Sequence, residues 1–315
     1  MTYKTILSLS AAAVALSVAT NQPASAENYR MMTGPQGGVW VPLAGALKNM
    51  WEKAIPGVSV QTLPGAGIAN VRGIDEDKAE IGFGNSISTV DGVNGDAPFP
   101  RKTANVCNMA NLYPQYFQVI ALADSRINSI KDLKGKAIAI QPRGNTAELA
   151  TKQILEVHGL KYEDMKVSFM SYTDAVSLLK DGHAQVFTAG TTIPSSAVMD
   201  LAAARDIKLI DLSDSVEGMR KLNKGYTAVQ LPANTYAKQD KPVTKIGYAA
   251  HLIVSCKLKD DHVYAMTKAV AAGMKDLSVM NKPMESVTPK MMAEELGVPL
   301  HPGAVKFYRE AGAMM

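Results

Sequence analysis

Two adjacent glycines, Gly37 and Gly38, stand between a short apolar segment and a run of helical spacing that begins near Trp40. A strand that passes through glycines into a helix start leaves backbone N–H groups and the positive end of the helix dipole exposed. Such groups bind an anion without any titratable side chain. The spacing therefore predicts an anion-binding loop, and a simple tight turn is the alternative.

Polar side chains follow other predicted strands at their carboxyl ends. Asn85 and Ser86 follow the strand 81–84, and Thr188 ends the strand 185–188. In open α/β sheets, ligands bind at the edge formed by the carboxyl ends of the strands. These positions are therefore predicted to contact the same ligand.

Arg143 lies in the loop after the strand 137–140, just before a predicted helix. That helix is expected to begin with a capping box formed by Asn145 and Glu148. A guanidinium in a closing cleft can hold a carboxylate through two parallel hydrogen bonds. The competing interpretation is that Arg143 points to solvent and that the helix starts alone hold the anion.

Known catalytic and metal-binding motifs do not occur in the sequence. It has no GxSxG, HExxH, CxxC, Walker or EF-hand spacing. Gly65-Ala66-Gly67 lacks the third glycine of a dinucleotide loop. The histidines do not have the sequence spacing of metal ligands. They are His158, His183, His251, His262 and His301. We therefore expect no cofactor, no metal and no enzymatic activity.

The first 26 residues have the pattern of an export signal. Lys4 is their only charge, residues 6–18 are mostly apolar, and Ala24-Ser25-Ala26 has the small residues of a cleavage site. The apolar run is shorter than the ~20 residues that a membrane span needs. Cleavage after Ala26 and a periplasmic location are expected, with an uncleaved anchor as the alternative.

Composition bears on partners and on redox state. The net charge of +4 and an aromatic content of 6% argue against nucleic-acid binding, which usually requires clustered basic residues. Cys107 and Cys256 belong to no metal-type spacing. In an oxidising compartment they form either a disulfide or two buried thiols.

The chain alternates strand-like and helix-like segments, which is typical of α/β proteins. The predicted strands cover residues 29–33, 58–63, 81–84, 106–113, 117–123, 137–140, 167–170 and 185–188. Predicted helices begin near residues 40, 68, 145 and 174, and at Pro194, with surface loops at 91–100 and 189–193. The middle of the chain has an α/β pattern of its own, inserted between two segments that belong together. This arrangement predicts two lobes around a cleft, with residues 27–118 and 228–315 in lobe I and 119–227 in lobe II.

Several motifs resemble those of the TAXI-type solute receptors of TRAP transporters (tripartite ATP-independent periplasmic transporters), over nearly all of the sequence after residue 26. The matching positions are Gly37-Gly38-Val39 with Pro42, Gly65 with Asn70, Leu112-Tyr113-Pro114, residues 132–136, Pro194, and Leu300-His301-Pro302-Gly303-Ala304 with Tyr308 and Gly312. Trp40 stands where members of that family usually carry tyrosine.

Two departures fall at presumed ligand contacts. Residues 144–148 read Gly-Asn-Thr-Ala-Glu, where that family often has Gly-Ser-Gly-Thr-Glu. Asn85 and Ile87 replace its usual glutamine and aspartate. The resemblance implies a type II periplasmic-binding-protein fold, capture of a small organic acid or acidic amino acid, and delivery to TRAP membrane subunits.

The sequence and the resemblance together predict one ligand site on a monomer that meets its membrane subunits transiently. The predicted contacts are Gln36, Gly37, Gly38, Val39, Trp40, Asn85, Ser86, Tyr113, Arg143, Gly144, Asn145, Thr146, Thr188, Gly190 and Thr191. A receptor of an ABC-type importer with the same fold, and a secreted enzyme, are the alternatives.

Overall fold

The computed structural model describes residues 27–315, so the predicted export signal and its cleavage site lie outside the described residues. The strands are β1 (Glu27–Met32), β2 (Val58–Leu63), β3 (Ile81–Asn85), β4 (Val106–Leu122), β5 (Ala137–Ile140), β6 (Lys166–Phe169), β7 (Val186–Thr191), β8 (Ile207–Leu209), β9 (Thr227–Leu231) and β10 (Val243–Ser255).

Most helices follow a strand and pack on the sheet. They are α1 (Trp40–Ala54), α2 (Gly67–Asp75), α3 (Ser86–Asn94), α4 (Thr146–Val157), α5 (Tyr172–Lys180), α6 (Ser196–Ala204), α7 (Val216–Leu222), α8 (Asp260–Ala272), α9 (Met274–Leu277), α10 (Pro289–Met292) and α11 (Pro302–Glu310). Short 3₁₀ helices cover Ala123–Ser125, Ile130–Leu133, Tyr162–Asp164 and Lys282–Ser286.

The described strands form one sheet in the order β2-β1-β3-β10-β4-β7-β5-β6, with β8 beside β4 and β9 beside β10. β1 is parallel to β2 and β3, and β5 is parallel to β6 and β7. The long strands β4 and β10 pair antiparallel with each other between these two groups. They therefore join two α/β halves, and the predicted two-lobe α/β architecture is confirmed.

Core packing shows where the chain passes between the lobes. Tyr113 packs in the core under β1–β3, whereas Phe117 packs in the core around β5 and α4. On the return path, Tyr248 still packs in the second of these cores and Ala250 packs in the first. The return crossing therefore lies in β10, whereas the sequence predicts a boundary at 227/228.

Three local predictions differ from the structure. The predicted loop 91–100 is wrong in its first part, because α3 continues to Asn94. The predicted loop 189–193 is also wrong in its first part, because β7 continues to Thr191. Pro194 does not begin a helix, since α6 starts two residues later.

Cys107 and Cys256 form a disulfide with their Cα atoms 5.1 Å apart. The bond joins β4 to the residue that follows β10, inside lobe I. Of the two alternatives left open by the sequence, the structure has the disulfide.

Candidate functional site

A small chamber lies where the two lobes face each other. Its volume is about 20 Å³, which is room for about one water molecule. Its walls are Gly34, Pro35, Gly38, Val39, Trp40 and Asn85 from lobe I, Gln115 from β4, and Asn145, Tyr172, Gly190 and Thr191 from lobe II.

Four helices begin at the wall of this chamber. Val39, Asn85 and Asn145 are the N-cap residues of α1, α3 and α4, and Tyr172 is the first residue of α5. The N-terminal ends of four helices, which carry the positive ends of the helix dipoles, therefore lie at the wall of one chamber. None of the described residues that line the chamber is Asp, Glu, Lys, Arg or His. The chamber thus combines positive potential with neutral hydrogen-bonding groups, an arrangement that favours an anion.

Asn145 caps α4, but not through the predicted capping box. Its Oδ1 atom accepts a hydrogen bond from the N–H of Ala147 at 2.7 Å. The carboxylate of Glu148 instead accepts a hydrogen bond from the hydroxyl of Tyr162 at 2.9 Å. Capping therefore fixes the Asn145 side chain at the chamber wall, while Glu148 is turned toward Tyr162.

Trp40 forms a fixed apolar wall. Its ring stacks on Phe83 with the ring centroids 5.1 Å apart, and its Nε1 donates to the hydroxyl of Tyr113 at 3.0 Å. With its amide oriented to satisfy both neighbours, Gln115 accepts from the same Nε1 at 3.0 Å and donates to the Gly190 carbonyl at 3.1 Å. Tyr113, a predicted contact, thus positions Trp40 and does not line the chamber.

Tyr172 closes the chamber from lobe II. Its hydroxyl donates to the Gly190 carbonyl at 2.9 Å. Burial raises the pKa of this hydroxyl, so it stays protonated and keeps that hydrogen bond. Its backbone N–H donates to the Gln36 carbonyl at 3.1 Å, which ties the glycine loop of lobe I to the start of α5.

The glycine loop allows close approach of the lobes. Gly37 has a φ of +78°, a conformation that favours glycine. A Cβ at Gly38 would lie 3.2 Å from the Tyr172 ring. The prediction of a free N–H at Gly38 is wrong, because that N–H donates to the Pro35 carbonyl at 3.1 Å. The loop therefore acts through its shape and through the start of α1.

A wider groove of about 570 Å³ also lies against Gly38, Val39 and Thr191, which line the chamber as well. We call this the outer groove. Its further lining residues are Gln36, Gly37, Val41, Pro42, Thr192, Pro194, Ser196, Met199 and Val279 to Pro283. The predicted contacts Gln36 and Gly37 thus face the outer groove.

Two other predicted contacts join the lobes directly. The hydroxyls of Thr146 and Ser88 lie 2.9 Å apart, and the Gly144 carbonyl accepts from the N–H of Ala69 at 3.0 Å. Because each contact pairs an atom of lobe I with an atom of lobe II, both hold the cleft closed.

Thr188 and Ser86 have contacts away from the chamber. The hydroxyl of Thr188 lies 2.9 Å from that of Thr151, within lobe II. The hydroxyl of Ser86 accepts from the N–H of Ala249 at 3.0 Å. Ser86 lines a separate cavity of about 860 Å³ between α3, α7 and the crossing strands.

Arg143 lines neither the chamber nor the outer groove. Its guanidinium carbon lies 4.4 Å from the ring centroid of Phe169 and 5.9 Å from that of Tyr162. These distances describe a cation–π contact on an exposed part of lobe II. Arg143 thus stacks on side chains of lobe II and is not directed into either cavity in this structure.

Sequence reasoning missed Gly34, Pro35, Gln115 and Tyr172 as lining residues. Gln115 follows the Leu112-Tyr113-Pro114 motif, and Tyr172 begins a helix after a strand, as Asn145 does in the same lobe. The strand-end rule could have found Tyr172, whereas Gln115 lies inside a strand. Within residues 27–315, no cluster of His, Cys, Asp and Glu has the geometry of a metal site. None of the described helices is both long and apolar enough to cross a membrane.

Solved structures of periplasmic binding proteins share this fold. A periplasmic transporter structure matches 91% of this chain and 93% of its own, with a TM-score of 0.54 and 13% identity. The alkanesulfonate-binding protein of Xanthomonas axonopodis pv. citri, bound to MOPS, matches over 91% and 84%, with a TM-score of 0.50 and 14% identity. An ancestral arginine-binding protein bound to arginine matches over 82% and 96%, with a TM-score of 0.50 and 15% identity. At such identities the similarity establishes the fold alone.

The sequence profile of the NMT1-like family matches residues 31–312. This match covers both lobes and both crossing strands. The protein therefore belongs to the NMT1-like family.

Proposed function

We propose that this protein is a periplasmic receptor that closes around a small anionic solute and delivers it to a membrane importer. The convergence of four helix N-termini on one chamber with neutral walls carries the proposal. The fold shared with an alkanesulfonate-binding protein and an arginine-binding protein supports a receptor role.

The proposed solute is a small organic acid or an acidic amino acid. Its carboxylate would lie among the helix starts, within reach of the Asn85 and Asn145 amides and the Thr191 hydroxyl, with Trp40 and Tyr172 as apolar walls. A chamber of about 20 Å³ does not admit such a molecule unless the lobes part. Opening and closing about β4 and β10 is therefore part of the proposal.

The proposed membrane partner is the TRAP type, which the opening and closing sequence motifs support. An ABC-type importer is the alternative, since its receptors use the same fold. Uptake into vesicles that contain the cognate membrane subunits distinguishes the two. Uptake that follows an ion gradient supports the TRAP partner, and uptake that requires ATP overturns it.

The solute itself is found by denaturing the purified protein and identifying the released small molecules by mass spectrometry. Calorimetric titration then compares that acid with its neutral amide. We expect the amide to bind at least about tenfold more weakly, as the loss of an interaction with a charged group implies. Equal affinity for the two compounds would overturn the anion site, and turnover of the solute would favour an enzyme.

The same titration separates the two roles of Arg143. A charge-assisted contact contributes ~1.5–3 kcal/mol. If Arg143 held the carboxylate of the solute, removing its side chain would therefore lower the affinity for the solute roughly ten- to a hundredfold. Because Arg143 stacks on Phe169, we expect the affinity of Arg143→Ala to stay close to that of the wild type. A loss of affinity of that size would show that Arg143 turns into the cleft when the solute binds.

A further inference from the structure

The cavity that Ser86 lines is a second space between the lobes, and we call it the crossing cavity. Its volume of about 860 Å³ is within the range of small-molecule sites, which is ~300–1,000 Å³. Its walls are α3 and residues 291–297 from lobe I, residues 221–229 from lobe II, and the crossing strands β4 and β10. None of its described lining residues lines the chamber or the outer groove. The crossing cavity is therefore a separate place for a ligand.

Much of the crossing cavity is apolar. Leu222 of lobe II is 49% exposed and Met291 of lobe I is 38% exposed, although both are large hydrophobic residues. Val90, Val229 and Leu296 are partly exposed and line the same cavity. Exposed apolar side chains that line one concave surface are typical of ligand-binding grooves. The walls therefore suit a ligand with an apolar body.

The charged groups of the crossing cavity are mostly acidic. The carboxylates belong to Asp91, Asp96, Glu294 and Glu295, and the ammonium groups belong to Lys221 and Lys224. The Nζ of Lys221 lies 2.8 Å from the carboxylate of Glu217, which is outside the cavity. The cavity therefore has a negative balance of charge, which favours a cation over an anion.

Asp91 is a carboxylate without a cation partner. One of its oxygens accepts a hydrogen bond from the Nδ2 of Asn223 at 2.9 Å, across the boundary between the lobes. Its carboxylate forms no ion pair with a described residue, and burial raises the pKa of Asp91 from its ordinary value of 3.8 to about 7. The charge of Asp96 adds to this rise. Asp91 is nevertheless partly exposed where it lines the cavity, so a molecule in the cavity can reach it.

The neighbours of Asp91 do not neutralise its charge. The hydroxyl of Tyr226 donates to the Oε1 of Gln153 at 2.6 Å, and the charge of Asp91 adds to the burial that raises the pKa of Tyr226. Lys224 is exposed and forms no ion pair with Asp91. Removing a charge from water is costly unless an opposite charge compensates it. A cationic ligand would supply that compensation.

We propose that the crossing cavity is a second ligand site, which binds an organic ammonium ion with an apolar body. The ammonium group pairs with the carboxylate of Asp91, and the apolar body lies against Val90 and Leu222. This inference goes beyond the proposed function, because it concerns a separate site and does not depend on which solute enters the chamber.

Chain-matched probes test the site. n-Butyl-, n-pentyl- and n-hexylammonium chloride are titrated beside the 1-alkanols of equal chain length, and NMR chemical shifts of isotope-labelled protein give the affinities. We expect each ammonium ion to bind roughly tenfold more tightly than its alkanol, as a hydrogen bond to a charged group implies. The affinity should also rise roughly two- to fourfold with each added methylene group. Equal affinities of ammonium ion and alkanol, or no binding of any ammonium ion, would overturn the site.

Two variants from opposite lobes separate the charged contact from the apolar one. Asp91→Asn should abolish the preference for n-hexylammonium over 1-hexanol and leave the affinity for 1-hexanol unchanged. Leu222→Asn should weaken both probes equally, because it removes apolar surface and no charge. Asp181→Asn, at an exposed aspartate outside the cavity, is the control. Thermal unfolding verifies that each variant is folded. A preference that survives Asp91→Asn would contradict the assignment.

The pH dependence of binding is a further check on Asp91. An alkylammonium ion, like lysine, keeps its proton near neutral pH, whereas Asp91 loses its proton as the pH rises through about 7. The affinity of n-hexylammonium for the wild type should therefore increase from about pH 6 to about pH 8, and the affinity for Asp91→Asn should not. Parallel pH profiles of the two proteins would place the ammonium group away from Asp91. Either negative result leaves the receptor role intact, because the crossing cavity and the chamber have no lining residue in common.

Discussion

The hydroxyl of Ser88 in α3 lies 2.9 Å from the hydroxyl of Thr146, the first residue of α4. Both residues are fully buried, and the contact joins lobe I to lobe II. Beside it, the N–H of Ala69 donates to the Gly144 carbonyl at 3.0 Å. The closed arrangement is therefore stabilised in part by contacts between the lobes themselves, in addition to any contacts with a solute.

Ser88→Ala should shift the protein toward an open form. The net worth of a hydrogen bond is about 0.5–1.5 kcal/mol, which corresponds to a roughly two- to tenfold change in the ratio of closed to open molecules. We expect a larger radius of gyration by solution X-ray scattering and a weaker affinity for the solute. Ser177→Ala is the matched control, because the Ser177 hydroxyl donates to the Thr173 carbonyl within its own helix. Identical scattering of both variants would contradict the role of the Ser88–Thr146 contact in holding the lobes closed.

Gly67→Ala should hold the lobes apart by a steric contact. A Cβ at Gly67 would lie 2.1 Å from the Thr146 Oγ1 and 2.9 Å from the Asn85 Nδ2. Relieving an overlap of this kind costs ~1–3 kcal/mol, so the affinity for the solute should fall by roughly five- to a hundredfold. Calorimetric titration measures the loss.

Gly45→Ala is the control for this change, because a Cβ at Gly45 has no atom within 4 Å. Gly45 lies inside α1, so alanine should stabilise the fold by about 0.5–1 kcal/mol and leave binding unchanged. If Gly67→Ala binds the solute as tightly as Gly45→Ala does, the lobes do not approach each other closely at Gly67 in the bound form.

The strand-end rule located part of the candidate site from sequence alone. Asn85 and Thr191 end strands, and Gly38 and Asn145 lie in the loops that follow β1 and β5. All four line the chamber between the lobes, which the antiparallel pairing of β4 with β10 joins. The alternation of strands and helices along the sequence is enough to predict that these four positions line the site.

Other features depend on how the lobes pack. The direction of Arg143 is set by Phe169, which lies on the next strand along the chain. Gln115 faces the chamber because β4 crosses between the lobes there. The lobe boundary in β10 follows from the burial of Tyr248 in the second core. No periodicity within one segment encodes such relationships, because each depends on residues from different segments.

Removing the Cys107–Cys256 disulfide should lower stability without changing the site. The bond closes a loop with a sequence separation of 149, and loss of such a native disulfide typically costs about 2–5 kcal/mol. Urea unfolding of the double variant Cys107→Ser and Cys256→Ser measures this loss. Neither cysteine lines the chamber or the outer groove, so the folded variant should bind the solute with the wild-type affinity. A weaker affinity in the folded variant would show that the bond also sets the geometry of the cleft.

Lys245 should make stability rise with pH above neutrality. Its side chain is fully buried, and Nζ donates to the Ile210 carbonyl at 2.9 Å. Burial lowers the pKa of Lys245 to about 7 from its ordinary value of 10.5, and the charge of Asp211 opposes this shift only in part. Between these two pH values the unfolded chain holds a proton that the folded protein has released. Because stability rises with pH wherever the unfolded state binds more protons, the free energy of unfolding should increase from about pH 7 toward pH 10.5.

Lys245→Met keeps the unbranched side chain and removes the charge, so this part of the pH dependence should disappear. Below about pH 7 the wild type bears the full cost of the buried ammonium, and the variant should therefore gain most stability relative to the wild type there. Urea unfolding at several pH values gives the difference between the two proteins, in which the contributions of all other titrating groups cancel. Lys241→Met, at an exposed position near the start of the same strand, is the control and should follow the wild-type curve. A constant difference between Lys245→Met and the wild type from neutral to alkaline pH would mean that Lys245 titrates alike in the folded and unfolded states.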